Sequence, residues 1–246
     1  MEILNAGGNA FDAAVAVTGA LSVVAPKNCG LGGGGFWLLH RARDGFETLV
    51  DGGETAPQAA TRDMYLDAHG NVLPNLSLNG PLSAAIPGTP AALAHLAKKY
   101  GRLPLTRSLA PAIRLARDGF ATDEFYRRAA ELRTMALASA PGLLNDGKPP
   151  SPGFMLRQSE LAAVLTTIAQ HGATGFYQGA VAKRLVDGVR NAGGLWTIWP
   201  TTKLSSAHHC MVITAACASL STAAILRWHG LGDHAQHFER LSVDHA

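Results

Sequence analysis

The sequence predicts an α+β fold in which helices and a small sheet form layers. A glycine-rich loop at residues 30–35 is followed by two apolar segments with a turn signal between them, the pattern of a β-hairpin. The segments on either side of this hairpin carry apolar residues at helical spacing, and most end at a glycine. Hairpin strands set among amphipathic helices indicate a layered mixture of sheet and helix.

Two helices and the hairpin are expected in the N-terminal part of the chain. The first apolar turn breaks at Gly7-Gly8. Asn9 or Asp12 can then cap a second helix, which runs toward Leu21 and is ended by Pro26. The hairpin is expected to consist of a buried strand at residues 36–40, a turn at Asp44-Gly45 and a return strand at residues 46–50.

Four amphipathic helices are expected after residue 87. Each has apolar residues at helical spacing, and each is followed by a glycine that can stop it. They are predicted at residues 90–100, 109–118, 160–170 and 180–191, with Gly101, Gly119, Gly172 and Gly193 after their ends.

Composition excludes several classes of function. The 246 residues are 47% hydrophobic and 16% charged, which is typical of a globular chain long enough to bury a core. The net charge is only +3 and the basic residues are scattered, so no nucleic-acid partner is expected. No apolar run reaches the roughly 18 residues of a membrane span. Met1 is followed at once by Glu2 and a helical pattern, so no secretory signal is predicted.

The glycine-rich loop satisfies a dinucleotide-binding motif literally but in the wrong context. Such a motif must follow a strand and open a helix, so that the phosphates lie at the helix N-terminus. Here a predicted helix precedes Gly30 and a predicted strand follows Gly35. The glycines therefore favour a tight turn with close backbone packing.

The remaining candidate sites have simpler interpretations. The histidines and cysteines of the C-terminal part lack the spacing of a metal site, so no metal is predicted. The carboxylates of Asp63 and Asp67 lie one helical turn apart, the usual pattern of a solvated face. No G-x-S-x-G elbow occurs to carry a serine nucleophile. The residues considered for a metal were His208, His209, Cys210, Cys217 and His229.

Several motifs in collinear order closely resemble the large subunit of γ-glutamyltransferases (glutathione hydrolases). The resemblance runs through residues 1–197 almost without gaps. The segments that carry it are Leu4–Ala16, Gly30–Phe36, Gly53–Pro57, Ala60–Asp67, Ile86–Thr89, Tyr100-Gly101, Pro111–Phe120, Gly175–Gly179 and Gly193-Gly194.

This resemblance implies an N-terminal-nucleophile hydrolase fold, a four-layer αββα sandwich of which this chain would hold only the large-subunit portion. In that family the precursor cuts itself, and the new N-terminal threonine of the small subunit attacks the γ-glutamyl amide. None of the threonines of this chain matches that motif, so no catalytic residue is expected here. The implied partners are a small-molecule γ-glutamyl substrate and the small subunit of the same precursor, with no cofactor. Family members are often periplasmic or secreted, and the compartment of this chain stays open.

The expected substrate-binding positions are Gly53 and Glu54. The family has an arginine in an R-E-x-A-P loop, where its planar fork grips the α-carboxylate of the glutamate. This chain has Gly53 before Glu54, and glycine cannot make that contact. The change fits a related acylase or amidase with weakened γ-glutamyl specificity, or a chain no longer under functional constraint. A non-catalytic binding module built on the same scaffold is a further alternative.

Residues 198–246 are expected to be a tail outside the family. They hold six of the ten histidines and two of the three cysteines. Most of these residues can be encoded by more than one codon. Read in a shifted frame, such codons can encode the family segments L-A-D, R-A-P-L-H-G-D-Y-R-G and P-P-P-S-S-G-G in the expected order. We interpret this tail as frameshifted sequence, in which the histidines and cysteines carry no selected chemistry.

Overall fold

The computed structural model describes residues 1–132, 137 and 140–197, and the backbone of residues 211–213. It begins with helix α1 (Glu2–Asn5) and helix α2 (Ala10–Val24). The predicted cap of α2 is confirmed. The Asn9 side chain accepts hydrogen bonds from the N–H groups of Phe11 (2.9 Å) and Asp12 (3.0 Å), and Asp12 Oδ2 accepts one from the N–H of Asn9 (2.8 Å). This reciprocal pair fixes where the helix starts.

The predicted hairpin is also present. Strand β1 (Gly35–Arg41) pairs antiparallel with strand β2 (Phe46–Gly52), and Gly45 adopts φ +64° in the turn between them. A short strand β5 (Met211–Ile213) pairs its backbone antiparallel to β2, which gives the strand order β1-β2-β5.

The strand predicted at residues 36–40 is present, but the expectation that it is buried is wrong for one of its two faces. Side chains of β1 alternate between two environments, because successive residues of a strand point to opposite faces of the sheet. Leu39 is 4% exposed, whereas Phe36 is 57% and Leu38 63% exposed. The apolar run in the sequence concealed this alternation.

The four predicted helices of the second part are confirmed in type, with small shifts at their ends. The largest shift is in α4, which begins four residues earlier than expected and contains Pro111 in its interior. Proline lacks an N–H, so one hydrogen bond of that helix is missing. The bounds are α3 (Thr89–Tyr100), α4 (Leu105–Asp118), α6 (Ser159–His171) and α8 (Gly179–Asn191).

Several short elements were not predicted. Helix α5 (Glu124–Leu132) lies between strands β3 (Phe120–Ala121) and β4 (Met155–Leu156), which pair antiparallel in a separate two-stranded sheet. A short helix α7 (Thr174–Tyr177) joins α6 to α8. Strands of two residues and a helix of four are too short to produce a periodic signal. The nine residues of α5 are long enough to show one, and sequence reasoning missed it.

The main hydrophobic core lies between the helices and one face of the hairpin. Helix α2 packs on α3 and α4, α4 packs on α6, and α3 contacts β2. The approach of α2 to α4 is close at Gly19, where an added Cβ atom would lie 2.9 Å from a methyl carbon of Leu109. A second, smaller cluster beneath α5 is formed by Tyr126, Ala130, Leu144 and Leu156.

A buried carboxylate ties the start of α2 to the connection between α3 and α4. Asp12 is fully buried and also accepts hydrogen bonds from the N–H groups of Arg102 (2.9 Å) and Leu103 (3.2 Å). A Cβ atom at Gly101 would lie 2.4 Å from Asp12 Oδ1. Gly101 does follow α3 as predicted, but its φ of −71° is open to any residue, so close approach rather than chain reversal requires glycine there.

No helix among the described residues has the length and apolar character needed to cross a membrane.

Candidate functional site

Three backbone segments meet where β2 ends and α3 begins. They are residues 33–34 of the glycine-rich loop, residues 52–53 at the end of β2, and Gly88 before α3. We call this arrangement the glycine cradle. The carbonyl oxygen of Gly33 accepts hydrogen bonds from the N–H groups of Gly88 and Thr89, both at 3.1 Å. The glycine-rich loop therefore holds the first turn of α3 in place.

The cradle requires glycine because backbone packs directly on backbone. A Cβ atom at Gly88 would lie 2.2 Å from the carbonyl oxygen of Gly52, and one at Gly34 would lie 2.6 Å from the same oxygen. A Cβ atom at Gly52 would lie 2.7 Å from the Cβ atom of Ala92. The prediction of close backbone packing in the loop at residues 30–35 is confirmed at Gly34, whereas a Cβ atom at Gly32 would meet no atom within 4 Å.

The same geometry argues against a nucleotide site in the loop. A helix precedes Gly30 and strand β1 begins at Gly35, the order that the sequence predicted. The N–H groups of Gly88 and Thr89 at the start of α3 are already bound to Gly33, so they are not free to bind a phosphate.

Gly53 lies directly after β2, at the edge of the cradle. Its N–H donates to Asp51 Oδ1 at 2.8 Å. A Cβ atom built on Gly53 would lie 3.0 Å from that oxygen and 3.7 Å from the ring of Phe36. Its φ lies outside the left-handed region, so other residues can adopt this backbone conformation. A side chain at position 53 would therefore extend beside a carboxylate and an exposed aromatic ring.

Glu54 is exposed, and its carboxylate lies against the glycine-rich loop. A Cβ atom at Gly34 would come within 2.8 Å of Glu54 Oε2. The next residue, Thr55, exchanges two backbone hydrogen bonds with Ile86, at 3.1 and 2.8 Å. Gly53 and Glu54 thus form a short exposed segment fixed at both ends, by the cradle on one side and by this bridge on the other.

Sequence reasoning missed Asp51 as a neighbour of this segment. Its side chain shares the exposed face of the hairpin with Phe36, its partner across the two strands. The available signal was its position two residues before Gly53 at the end of a strand, since an Asp side chain readily accepts a hydrogen bond from the N–H two residues on.

Asp63 and Asp67 do not form a pair of catalytic carboxylates. They lie in turns rather than on a helix. Asp63 is 3.6 Å from Arg62 in an exposed ion pair. Asp67 Oδ1 accepts hydrogen bonds from the N–H groups of Asn71 (2.9 Å) and His69 (2.8 Å), and these bonds, chiefly those from Asn71, lower the pKa of Asp67.

No cluster of three potential metal ligands occurs among the described residues. The metal candidates of the sequence, His208, His209, Cys210, Cys217 and His229, lie outside the described residues, as does all of the predicted tail except the backbone of residues 211–213.

Comparison with solved structures identifies the class of fold. The chain is 36% identical to γ-glutamyltranspeptidase of Helicobacter pylori, with a TM-score of 0.79 over 85% of this chain and 60% of that one. It is 31% identical to cephalosporin acylase of Bacillus halodurans, with a TM-score of 0.67 over 79% of this chain and 38% of that one. The fold is therefore the α+β fold of N-terminal-nucleophile hydrolases, and the described residues supply part of its αββα sandwich.

Sequence comparison gives the family. A family profile described as Gamma-glutamyltranspeptidase matches residues 1–200. The glutathione hydrolase proenzyme of Escherichia coli (strain K12) is 41% identical over 204 residues, which is 80% of this chain and 35% of that protein. The chain belongs to the γ-glutamyltranspeptidase family. It spans about a third of the length of the curated relatives that it matches.

Proposed function

We propose that the chain is a large-subunit portion of an enzyme that transfers or hydrolyses γ-glutamyl groups. The observation that carries the proposal is the Gly53–Glu54 segment, held between the glycine cradle and the Thr55–Ile86 bridge. In this proposal the segment takes the place of the family's substrate-binding loop, and it lies within the matched residues 1–200. Glutathione-type substrates would be bound here in the complete enzyme.

The nucleophile in this proposal comes from a small subunit of the same precursor. Relatives of the chain are named proenzymes, which fits an enzyme made by cleavage of a precursor. The N-terminal threonine of the small subunit would supply both the attacking hydroxyl and the amine that serves as base. The large-subunit portion would bind and orient the substrate without reacting with it.

Gly53 bears on the choice of substrate. An α-carboxylate bound beside position 53 would receive no guanidinium from that position, and it would lie near the carboxylate of Asp51. Two like charges at close range repel each other, so binding of a γ-glutamyl group would be weakened. This feature, together with the similarity to a cephalosporin acylase, favours as second candidate an acylase or amidase whose substrates lack that carboxylate.

We also propose that residues 198–246 derive from shifted reading frames. The family match ends at residue 200, close to the predicted boundary at residue 198. Sequencing the DNA from codon 197 onward tests this proposal. Codons that spell P-P-P-S-S-G-G in a shifted frame are the expected result. One continuous frame that leads on to a threonine-led small subunit would leave the enzyme interpretation standing, and two real shifts would make the chain a remnant of such an enzyme. Codons that cannot spell that segment would contradict it, and a non-catalytic binding module would become the better account of the chain.

Activity is tested on the precursor encoded by the restored frame, with the 246-residue chain as control. The precursor should turn over γ-glutamyl anilides or neutral acyl anilides, and the ratio of the two rates separates a γ-glutamyltransferase from an acylase. The 246-residue chain should turn over neither. Turnover by the chain alone would contradict the assignment of the nucleophile to a small subunit.

The role of position 53 is tested by Gly53→Arg in the same precursor. A charge-assisted bidentate contact should raise kcat/KM for the γ-glutamyl anilide about 10- to 100-fold. Gly53→Lys is the matched control, because its ammonium adds the charge without the planar fork and should give a smaller gain. No gain with arginine would show that this loop does not contact the α-carboxylate.

A further inference from the structure

A cleft lies where the C-terminal end of α2 meets the N-terminal end of α5. Its volume is about 610 Å³, within the range of roughly 300–1,000 Å³ that is usual for small-molecule sites. It shares no described lining residue with the Gly53–Glu54 segment or the glycine cradle. The lining residues used below are Lys27, Phe120, Asp123, Phe125, Tyr126 and Ala129.

The walls of the cleft are apolar and rich in aromatic rings. Phe120 and Tyr126 meet edge to face, with ring centroids 6.1 Å apart. The Tyr126 hydroxyl donates to the carbonyl oxygen of Leu143 at 3.1 Å, and burial raises the pKa of Tyr126 to about 12, so this hydroxyl stays protonated at neutral pH. A ligand that fits these walls would have a flat apolar body.

Lys27 places a positive charge at the mouth of the cleft. Lys27 Nζ lies 3.8 Å from the centroid of the Phe125 ring, and among the described residues no carboxylate oxygen lies within 4.0 Å of it. Asp123 also lines the cleft, but its Oδ1 accepts a hydrogen bond from the N–H of Tyr126 at 2.7 Å. That contact places the negative charge of Asp123 at the N-terminus of α5, where the helix dipole favours it. The Lys27 ammonium therefore remains available to an anion.

We propose that this cleft binds a small aromatic carboxylate. The aromatic body lies between the rings of Phe120, Phe125 and Tyr126, over the small side chain of Ala129. The carboxylate pairs with Lys27 at the mouth. Because Lys27 and Phe125 are both exposed, the site can be changed at its mouth without disturbing the buried cluster beneath it.

The test uses the full 246-residue chain and isothermal titration with 4-phenylbutyrate, with 4-phenyl-1-butanol as the uncharged probe of the same shape. Saturable binding at one site is expected for both, with the carboxylate about three- to tenfold tighter because an exposed ion pair adds little. Absence of saturable binding of the carboxylate up to about 10 mM would overturn the proposal, since that affinity is too weak for a formed pocket.

Two variants locate the site. Lys27→Met should remove the advantage of the carboxylate and leave the alcohol unchanged, whereas Lys98→Met, at an exposed lysine on α3, should change neither. Phe125→Ala should weaken both probes at least about threefold, because it removes one wall of the cleft. Circular dichroism checks that each variant keeps the helical content of the parent chain. Binding that neither Lys27→Met nor Phe125→Ala alters would place the probe elsewhere and overturn the proposal.

Discussion

The two faces of the β1–β2 hairpin differ sharply although they come from the same fourteen or so residues. One face carries Trp37, Leu39, Thr48 and Val50, and it packs against the helices. We call it the packed face; Leu39 is 4% exposed there, and Val50 is fully buried. The open face carries Phe36, Leu38, Leu49 and Asp51. On this side Leu38 is 63% and Phe36 57% exposed.

This difference bears on the proposal that the chain is a large-subunit portion of an enzyme. Burial of the packed face supplies the hydrophobic free energy that holds the hairpin on the helices. The open face presents large apolar side chains to solvent, which is the usual sign of a surface that another element covers. In the αββα sandwich of the fold, a second sheet would lie on this face. We propose that this second sheet includes strands of the small subunit of the proposed precursor.

The largest expected effect is a loss in the free energy of unfolding. The same change, leucine to alanine, is made at two neighbouring positions, one on each face. Leu39→Ala should lower the free energy of unfolding by about 3 kcal/mol, because it leaves a cavity in the packed core. Leu38→Ala should lower it by less than about 1 kcal/mol, because that side chain is already exposed. Urea unfolding of the two variants beside the parent chain measures both values. Equal losses would mean that the two faces do not differ in solution.

A smaller loss in the free energy of unfolding is expected when a side chain is added within the glycine cradle, at Gly52 on the packed face. Gly52→Ala should cost about 1–3 kcal/mol, because the new methyl group would lie 2.7 Å from both Ala92 Cβ and the Trp37 ring. Gly32→Ala is the matched control, since a Cβ atom there meets no atom within 4 Å and the change should stay within about 0.5 kcal/mol. Urea unfolding checks both variants. A Gly52→Ala variant as stable as Gly32→Ala would show that the cradle tolerates a side chain.

Local signals carried most of what the sequence predicted correctly. The Asn9–Asp12 cap, the Asp44-Gly45 turn and the helices that stop at glycines all depend on contacts between residues close in the chain. The family resemblance predicted the fold, which is confirmed, and a substrate-binding role for Gly53 and Glu54, which stays a prediction. Neither source could show that Gly101 is needed because Asp12, about 90 residues away in sequence, lies against it.

The errors have the same physical origin. The alternation along residues 36–40 was hidden because both faces of β1 carry apolar side chains, and only the fold decides which face is covered. The pairing of β3 with β4 joins residues more than 30 positions apart through two-residue strands, which leave no pattern in the sequence. Asp51 became a neighbour of Gly53 only once the strand end was placed beside the cradle.

The smallest expected effect is a pH dependence of the free energy of unfolding, which arises from a histidine on α3. His95 on α3 is half-buried, and its ring lies 5.9 Å from that of Tyr100. Its Nε2 is buried and has no hydrogen-bond partner among the residues that the structure describes. Burial lowers the pKa of His95 below its ordinary value of 6.5, and the positive charge of Lys99 lowers it further. The folded chain therefore binds this proton less readily than the unfolded chain does. The contribution of neutral His95 to the free energy of unfolding is therefore complete above about pH 6.5, and it is lost as the pH falls below that value toward the lowered pKa.

His95→Phe should flatten that part of the profile, because phenylalanine keeps the ring and does not titrate. Lys99→Met should flatten it only in part, since Lys99 is the second cause of the lowered pKa and burial is the first. Urea unfolding at a series of pH values between about 5 and 8 measures the slope for the parent chain and both variants. An unchanged slope in His95→Phe would place the origin of the pH dependence outside α3. A full loss of slope in Lys99→Met would make charge repulsion, rather than burial, the main cause.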